Sequence, residues 1–427
     1  MAILSVAGVA LSSSMGSATL RPSAPYSPPA SGPVGDVIVT LLDKTLTPRM
    51  LINFTSLTAT LRYNAVGSWA IIAPYSDALW TEMMKGDFSI EVDWRGMFKF
   101  GGKCEQPGYQ DSIPGAGSSS SEAGPYITMS GGDYLALIAN RIAYPDNTTA
   151  WPSISKGAAS VFTNVHLESA LKGYVYVNGG ANSLSNRIMP YLDIATDLSR
   201  GNLISYSVKF SPNVSLNLLD ILRLLIIQGS GPTGMGITVQ RSGSRLVFDT
   251  YIPRDLTKKA WFSKQLGNLT AVQLYLTDPT CTNALVAGSG TAMVEKVAAS
   301  RTVWNVAEQY LDQTSETDVN NLNASAQQTL LAGGFGPLLN ATVTDLPFLT
   351  FGRDYYLGDL VTIEVIPGNS YADVVTSVDL TAIAGQDPVY SITPSVGHSG
   401  DATATDQSVT GQLITRVRNL EKRLNTR

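Results

Sequence analysis

Three stretches carry residue types at spacings that chemistry uses. Gly229, Gly231 and Gly234 reproduce GxGxxG, a turn that lets backbone amides approach a pyrophosphate. The turn works only with a strand before it and a helix after it, because the helix N-terminus faces the phosphate. Here Ser215 to Ile227 reads as a helix before the glycines, Gly236 to Gln240 reads as a strand after them, and Pro232 stands in the loop. The order is reversed, so the stretch reads as a helix-to-strand turn. His166, Leu167 and Glu168 give the HxE half of a zinc deaminase, but the PCxxC partner that would complete the metal site is missing. His166 reads as a structural residue of a helix. Glu91 and Asp93 share one face of a predicted strand, which suits general acid–base work; the plainer reading is a solvated strand edge. His398, among Gly, Ser and Asp, reads as exposed and unreactive. No GxSxG, HExxH or GxxxxGK[ST] occurs. Two histidines and two cysteines cannot supply four zinc ligands without carboxylates. The sequence therefore points to no catalytic residue, no cofactor and no metal.

Another charged cluster reads as architecture. Phe351 to Val365, FGRDYYLGDLVTIEV, begins as a tight corner and ends as a strand. Arg353 and Asp354 pair as corner charges, and Gly358 with Asp359 bends the backbone where most residues would be strained. Leu360, Thr362 and Glu364 then alternate with Val361, Ile363 and Val365, placing one set inside and the other outward.

The elements around this corner are mostly strands. A chain of 427 residues exceeds one ordinary core, so two to four domains are expected. Charged residues make up 15%, below the usual share of about a quarter, which suits a loop-rich β protein or one covered by partners. The net charge of −5 gives no support for nucleic-acid binding. Cys104 and Cys281 lie far apart, and two buried free thiols are preferred over a disulfide. No run reaches the ~18 apolar residues of a membrane span. Residues 1–35 read as an N-terminal arm and linker, since Pro22, Pro25, Pro28, Pro29 and Pro33 forbid regular structure.

In order, residues 36–130 give six short strands and a first β-barrel domain. Residues 131–255 read as a small α+β module: Asp133 caps a helix over Tyr134 to Ile142, Ser160 to Val177 forms a second helix, and Ser215 to Ile227 a third. A hairpin, Gly236 to Gln240 with Arg245 to Tyr251, ends the module. Residues 256–400 read as a second β-barrel carrying a polar, helix-prone insertion at about 300–331. The fold class is α+β, mostly β. Residues 401–427 form a linker and a C-terminal helix. There Leu413, Val417, Leu420 and Leu424 recur at four, three and four, an oligomerisation stripe if the helix coils with copies of itself. Two heptads are too short to be stable alone, so a helix docked on its own domain is the other reading.

Four blocks together carry a resemblance: Leu57 to Trp69 (LTATLRYNAVGSW), Arg245 to Arg254 (RLVFDTYIPR), Phe262 to Leu269 (FSKQLGNL) and Phe351 to Val361 (FGRDYYLGDLV). In this order and spacing they resemble the minor tail proteins of long-tailed actinobacterial phages, of the baseplate-hub or tail-associated (Tal-like) class. The resemblance covers roughly residues 36–396. It implies two barrels related to tail-tube subunits, with smaller domains between them. It implies a homotrimeric ring at the distal end of the tail that joins the distal tail protein ring to the tip and closes or gates the tube. The implied neighbours are the tape measure protein and other tail-tip or fibre proteins, with DNA passing through the lumen. It transfers no catalytic residue. Other readings are a tail-associated cell-wall hydrolase using Glu91 and Asp93, and a host-surface carbohydrate-binding protein using exposed rings such as Tyr109 and Trp151.

Overall fold

The computed structural model describes residues 4–5, 36–111, 125–147, 149, 153, 158–209, 217–229, 234–277, 279–312, 317, 319–333, 336–384 and 389–397. Its centre is a ten-stranded sheet. The main path runs Leu269–Thr277, Gly336–Val343, Val389–Gly397, Asn369–Ile383, Ser56–Arg62, Ser68–Pro74, Tyr126–Gly132, Gln106–Gln110. Leu360–Ile366 pairs with the first half of Asn369–Ile383, and Trp261–Ser263 pairs in parallel with Leu360–Ile366. A four-stranded sheet of Pro48–Leu51, Val37–Leu42, Ser89–Trp94 and Phe98–Lys103 accompanies it.

These strands follow from alternation. Ser56–Arg62 buries Leu57, Ala59 and Leu61, and Ser68–Pro74 buries Trp69, Ile71 and Ala73, with less buried residues between. Helix α1 (Asp77–Met83) starts where the Ser76 hydroxyl accepts from the Leu79 amide, and buries Leu79 and Met83.

The β regions expected as two separate barrels lie in one sheet. Asn369–Ile383 pairs antiparallel with Ser56–Arg62 from Ser377↔Arg62 to Ile383↔Ser56. One core serves both regions, with Leu57, Ile71, Ile90 and Trp94 from the first and Phe262, Phe351, Tyr355 and Val361 from the last. Among the described residues the path closes no barrel: it is open at Leu269–Thr277 and at Gln106–Gln110.

The middle module has its own core, built by α2 (Ala136–Ala139), α3 (Leu167–Asn178), α4 (Leu218–Gly229) and two small sheets. Two expectations change here. The helix expected from Ser160 starts only at Leu167, because Ala159–His166 is a strand paired with Leu203–Lys209. Val161, Phe162, Thr163 and Val165 suit a strand, and a long-range partner decides the matter. The helix expected over Tyr134 to Ile142 is only α2, four residues long; Asp133 still accepts from the Leu135 amide at 3.0 Å. The helix-then-strand order around the glycines is as read: α4 precedes and Gly236–Ser242 follows.

Asn64 ties the module to the first region. It sits at φ 51, a left-handed conformation that asparagine tolerates. Its amide donates to the Met235 carbonyl at 2.9 Å, its side-chain oxygen accepts from the Ile237 amide at 2.9 Å, and Arg223 Nε donates to its carbonyl at 2.6 Å.

The insertion also differs from the expectation of a helix-prone 300–331. Its sheet begins earlier, with Asn283–Ala287 flanked by Met293–Val297 and Glu308–Asp312, and the helix α5 (Val319–Gly333) packs on one face of it. Leu322, Ala326 and Leu330 of α5 close over Ala284 and Val286.

Candidate functional site: the corner at 345–365

The corner is held by carboxylates that accept backbone amides. Asp354 accepts from the Thr350 amide at 2.8 Å and from Arg353 Nε and Nη2 at 3.0 and 2.7 Å. Arg353 also donates to the Pro347 carbonyl at 2.7 Å. Asp359 is buried and accepts from the Tyr356 amide at 2.9 Å, the Arg254 amide at 2.7 Å and the Arg254 guanidinium at 2.6 and 3.1 Å. These contacts occupy both carboxylates of the cluster in fixing backbone, and charge-assisted bonds of this kind are the strong ones.

Gly358 makes the bend, at φ +86; a Cβ there would lie 2.4 Å from a Tyr63 ring carbon and 3.0 Å from Pro253 Cγ. Val361, Thr362 and Ile363 are all buried, so the strand that follows is covered on both faces rather than on one. Trp261–Ser263 and Asn369–Ile383 flank it, and the Thr362 hydroxyl donates to the Thr257 carbonyl at 2.9 Å.

All four sequence blocks meet here. Tyr63 comes from the first, and Arg254 and Tyr251 from the second, with the Tyr251 hydroxyl donating to the Leu357 carbonyl at 3.1 Å. Phe262 of the third packs edge-on to Tyr355 at 5.4 Å. Phe98, from the small four-stranded sheet, meets Phe351 edge-on at 5.4 Å, and Phe351 stacks on Tyr356 at 5.2 Å. Edge-to-face and offset pairs of this kind add about 0.5–1.5 kcal/mol each beyond their buried area. The corner is thus the point where both β regions and the middle module are cross-braced.

Asp345 was not legible in the sequence as part of this site. It accepts from the Tyr355 hydroxyl at 2.6 Å and the Phe351 amide at 3.0 Å. Burial raises its carboxyl to about 6 from an ordinary 3.8, against the lowering effect of those two donors. A folded-state value above the unfolded one means that this group stabilises fully below about pH 3.8 and loses that contribution as pH rises through 6. Thermal melts of Asp345→Asn, which keeps an acceptor oxygen, should therefore show a smaller fall in Tm between pH 4 and 7 than the unaltered chain. An unchanged slope would contradict the assignment.

The other candidates are absorbed by structure. Glu91 accepts from Arg241 Nη1 at 3.0 Å, clamping the module to the first region. Asp93 accepts from the Gly96 amide at 2.8 Å in its hairpin turn and lies 3.4 Å from Lys99 Nζ. His166 occupies the N-cap position of α3 without a side-chain cap hydrogen bond, and its Nδ1 lies 3.1 Å from the Gly201 carbonyl oxygen. Glu168 is fully buried in an ion cluster with Lys172, Arg200 and Asp249: Lys172 Nζ lies 2.7 Å from Glu168 and 2.8 Å from Asp249, and Arg200 Nη2 lies 2.7 Å from Glu168. Its spacing to Lys172 is a helical i,i+4 pair; Arg200 and Asp249 had no local signal. Cys104 and Cys281 are buried and form no disulfide with each other, and burial raises the Cys104 thiol to about 11. Tyr109 packs against Tyr75 and Trp80 at 5.5 and 5.9 Å. His398, Trp151 and the stripe Leu413, Val417, Leu420 and Leu424 lie outside the described residues. No group of three or more His, Cys, Asp or Glu placed to hold a metal occurs among the described residues.

The fold is that of phage tail proteins. A 43 kDa tail protein of prophage MuSo2 from Shewanella oneidensis superposes with a TM-score of 0.50 at 14% identity, over 84% of this chain and 98% of that one. A tail protein from Neisseria meningitidis MC58 does so with a TM-score of 0.50 at 10% identity, over 86% of this chain and 97% of that one. The chain belongs to the family of the Siphovirus ReqiPepy6 Gp37-like protein, whose model matches residues 38–398. No curated protein sequence matches it.

Proposed function

We propose that this chain is a structural hub at the distal end of a long-tailed phage tail, of the baseplate-hub or tail-associated class and from an actinobacterial phage. Three copies form a ring that joins the six-fold distal tail protein ring to a three-fold tip and closes or gates the tube. The observation that supports this reading most is the corner itself, where four separated blocks brace two β regions and a module into one body. In the ring, residues 36–130 and 256–400 of each copy serve as two tube-like wall units, with 131–255 between them. The strands Gln106–Gln110 and Leu269–Thr277, each with one edge unpaired among the described residues, offer backbone groups to neighbouring copies, in the head-to-tail contacts that close a ring. The tape measure protein and tip or fibre proteins are the other partners. DNA passes the lumen without being bound, in keeping with a net charge of −5. Among the described residues no helix is long and apolar enough to cross a membrane.

Light scattering on the purified chain should return three times its 45.4 kDa mass. A stable species of one chain mass at micromolar concentration would contradict the ring.

A further inference from the structure

The insertion presents a sheet face that nothing else in the described chain covers. Its inner face, with Ala284, Val286, Val294 and Leu311, packs toward α5. On the outer face the cross-strand rows alternate in type. Val297 and Glu308 flank Asn283, Glu295 and Tyr310 flank Leu285, and Met293 and Asp312 flank Ala287. Each row therefore carries one large apolar side chain and one carboxylate at opposite edges. Tyr310 is 62% exposed and Met293 58%, and Trp304 in the connecting loop is 95% exposed. Three strands span about 10 Å, close to the ~10–12 Å diameter of one helix.

We propose that the chain's own segment 413–427 docks on this face as a helix. Its apolar stripe, Leu413, Val417, Leu420 and Leu424, would lie on Tyr310 and Met293. On a helix, Arg416, Arg423 and Arg427, spaced by seven and four residues, fall along one border of that stripe, where they meet the outward carboxylates. The segment carries five basic residues and one acidic residue in a chain of net charge −5, so its charge is opposite in sign to the outward carboxylates. The chain also arrives from the right side. Val389–Gly397 runs antiparallel to Gly336–Val343, with Asn340 opposite Gly397 and Thr342 opposite Ser395. Its forward direction is therefore toward Gly336, next to the end of α5 at Gly333. Residues 398–412 can span up to about 50 Å when extended.

The test is carboxylate footprinting of the full chain, with glycine ethyl ester and carbodiimide read by mass spectrometry. At an effective concentration of about 1 mM, a site of about 0.1 mM affinity is about 90% occupied. Glu295, Glu308 and Asp312 should then react about tenfold faster in Leu420→Asp than in the unaltered chain. Arg416→Glu with Arg423→Glu should give the same rise, while the exposed Asp87 reacts equally in all three and reports an intact fold. In Arg416→Lys, whose new amine stands on the border of the stripe, carbodiimide alone should join position 416 to these carboxylates within single chains in a mixture of light and heavy isotope-labelled protein. Equal reactivity across variants overturns the proposal, as do cross-links that join light to heavy chains as often as random pairing between copies allows. The latter result would assign the stripe to association between copies.

Discussion

Gly358→Val should be among the most damaging single substitutions in the chain. Two independent costs fall on it. The backbone sits at φ +86, and a left-handed conformation costs an L-residue about 1–2 kcal/mol. The new Cβ would also lie 2.4 Å from the Tyr63 ring, which packs edge-on to Tyr251 and has little room to retreat. Overpacking of this kind costs about 1–3 kcal/mol. Together they remove about 2–5 kcal/mol, a large part of a typical domain's stability. Gly243→Val is the control: its φ is +62 but nothing lies within 4 Å of a Cβ there. Urea denaturation should show the larger midpoint shift at Gly358, and the excess over Gly243 reports the clash. Equal shifts would mean that the corner is looser than the contacts indicate. Because the corner braces both β regions, assembly should fail with folding in Gly358→Val.

Glu168→Ala should cost about 3 kcal/mol, the lower end for breaking a buried ion pair. Glu168 is fully buried and Lys172 only 1% exposed, so the lysine loses one partner without gaining water. Asp249, 2.8 Å away, and the Thr196 carbonyl at 2.7 Å remain to it, which limits the loss. Burial works to raise the Glu168 carboxyl; hydrogen bonds from Arg200 and Lys172 overcome that and hold it at about 2, against an ordinary 4.5. The sign follows. A depressed carboxylate stabilises fully above about pH 4.5 and loses that contribution as pH falls toward 2. Acid unfolding should therefore be less steep in Glu168→Ala between those values. Glu168→Leu combined with Lys172→Met should lose less than the sum of the single changes, because the two groups share one network. Strictly additive losses would contradict the coupling.

Much of the local structure was legible because it is written at short range. The 236–242 and 245–251 hairpin shows its turn in Arg241 to Ser244, and α4 shows an unbroken leucine and isoleucine pattern. The bend at Gly358 and Asp359 was visible as turn chemistry. What lay hidden was every long-range partner. Thr60 Oγ1 donates to Asp379 at 2.6 Å across 319 residues, in the strand pairing that fuses the expected barrels into one sheet, and nothing near either residue announces it. Asp359 reads as a turn residue alone, whereas its strongest partner is Arg254, 105 residues earlier. Residues 160–166 failed for the same reason: alternation near a helix start is ambiguous until the 203–209 strand supplies a partner. The four blocks stand out in the sequence because each contributes side chains to one junction, and that cause could be read only from the fold.

Electron cryo-microscopy of intact phage tails, reconstructed at the distal end without imposed symmetry, tests the hub reading most directly. The expected map shows three copies of this fold around the tube axis, with the corner of each copy joining its two wall units and the distal tail ring directly above. Density for this chain with six-fold symmetry along the tube, or its absence from the tip of otherwise complete tails, would contradict the account.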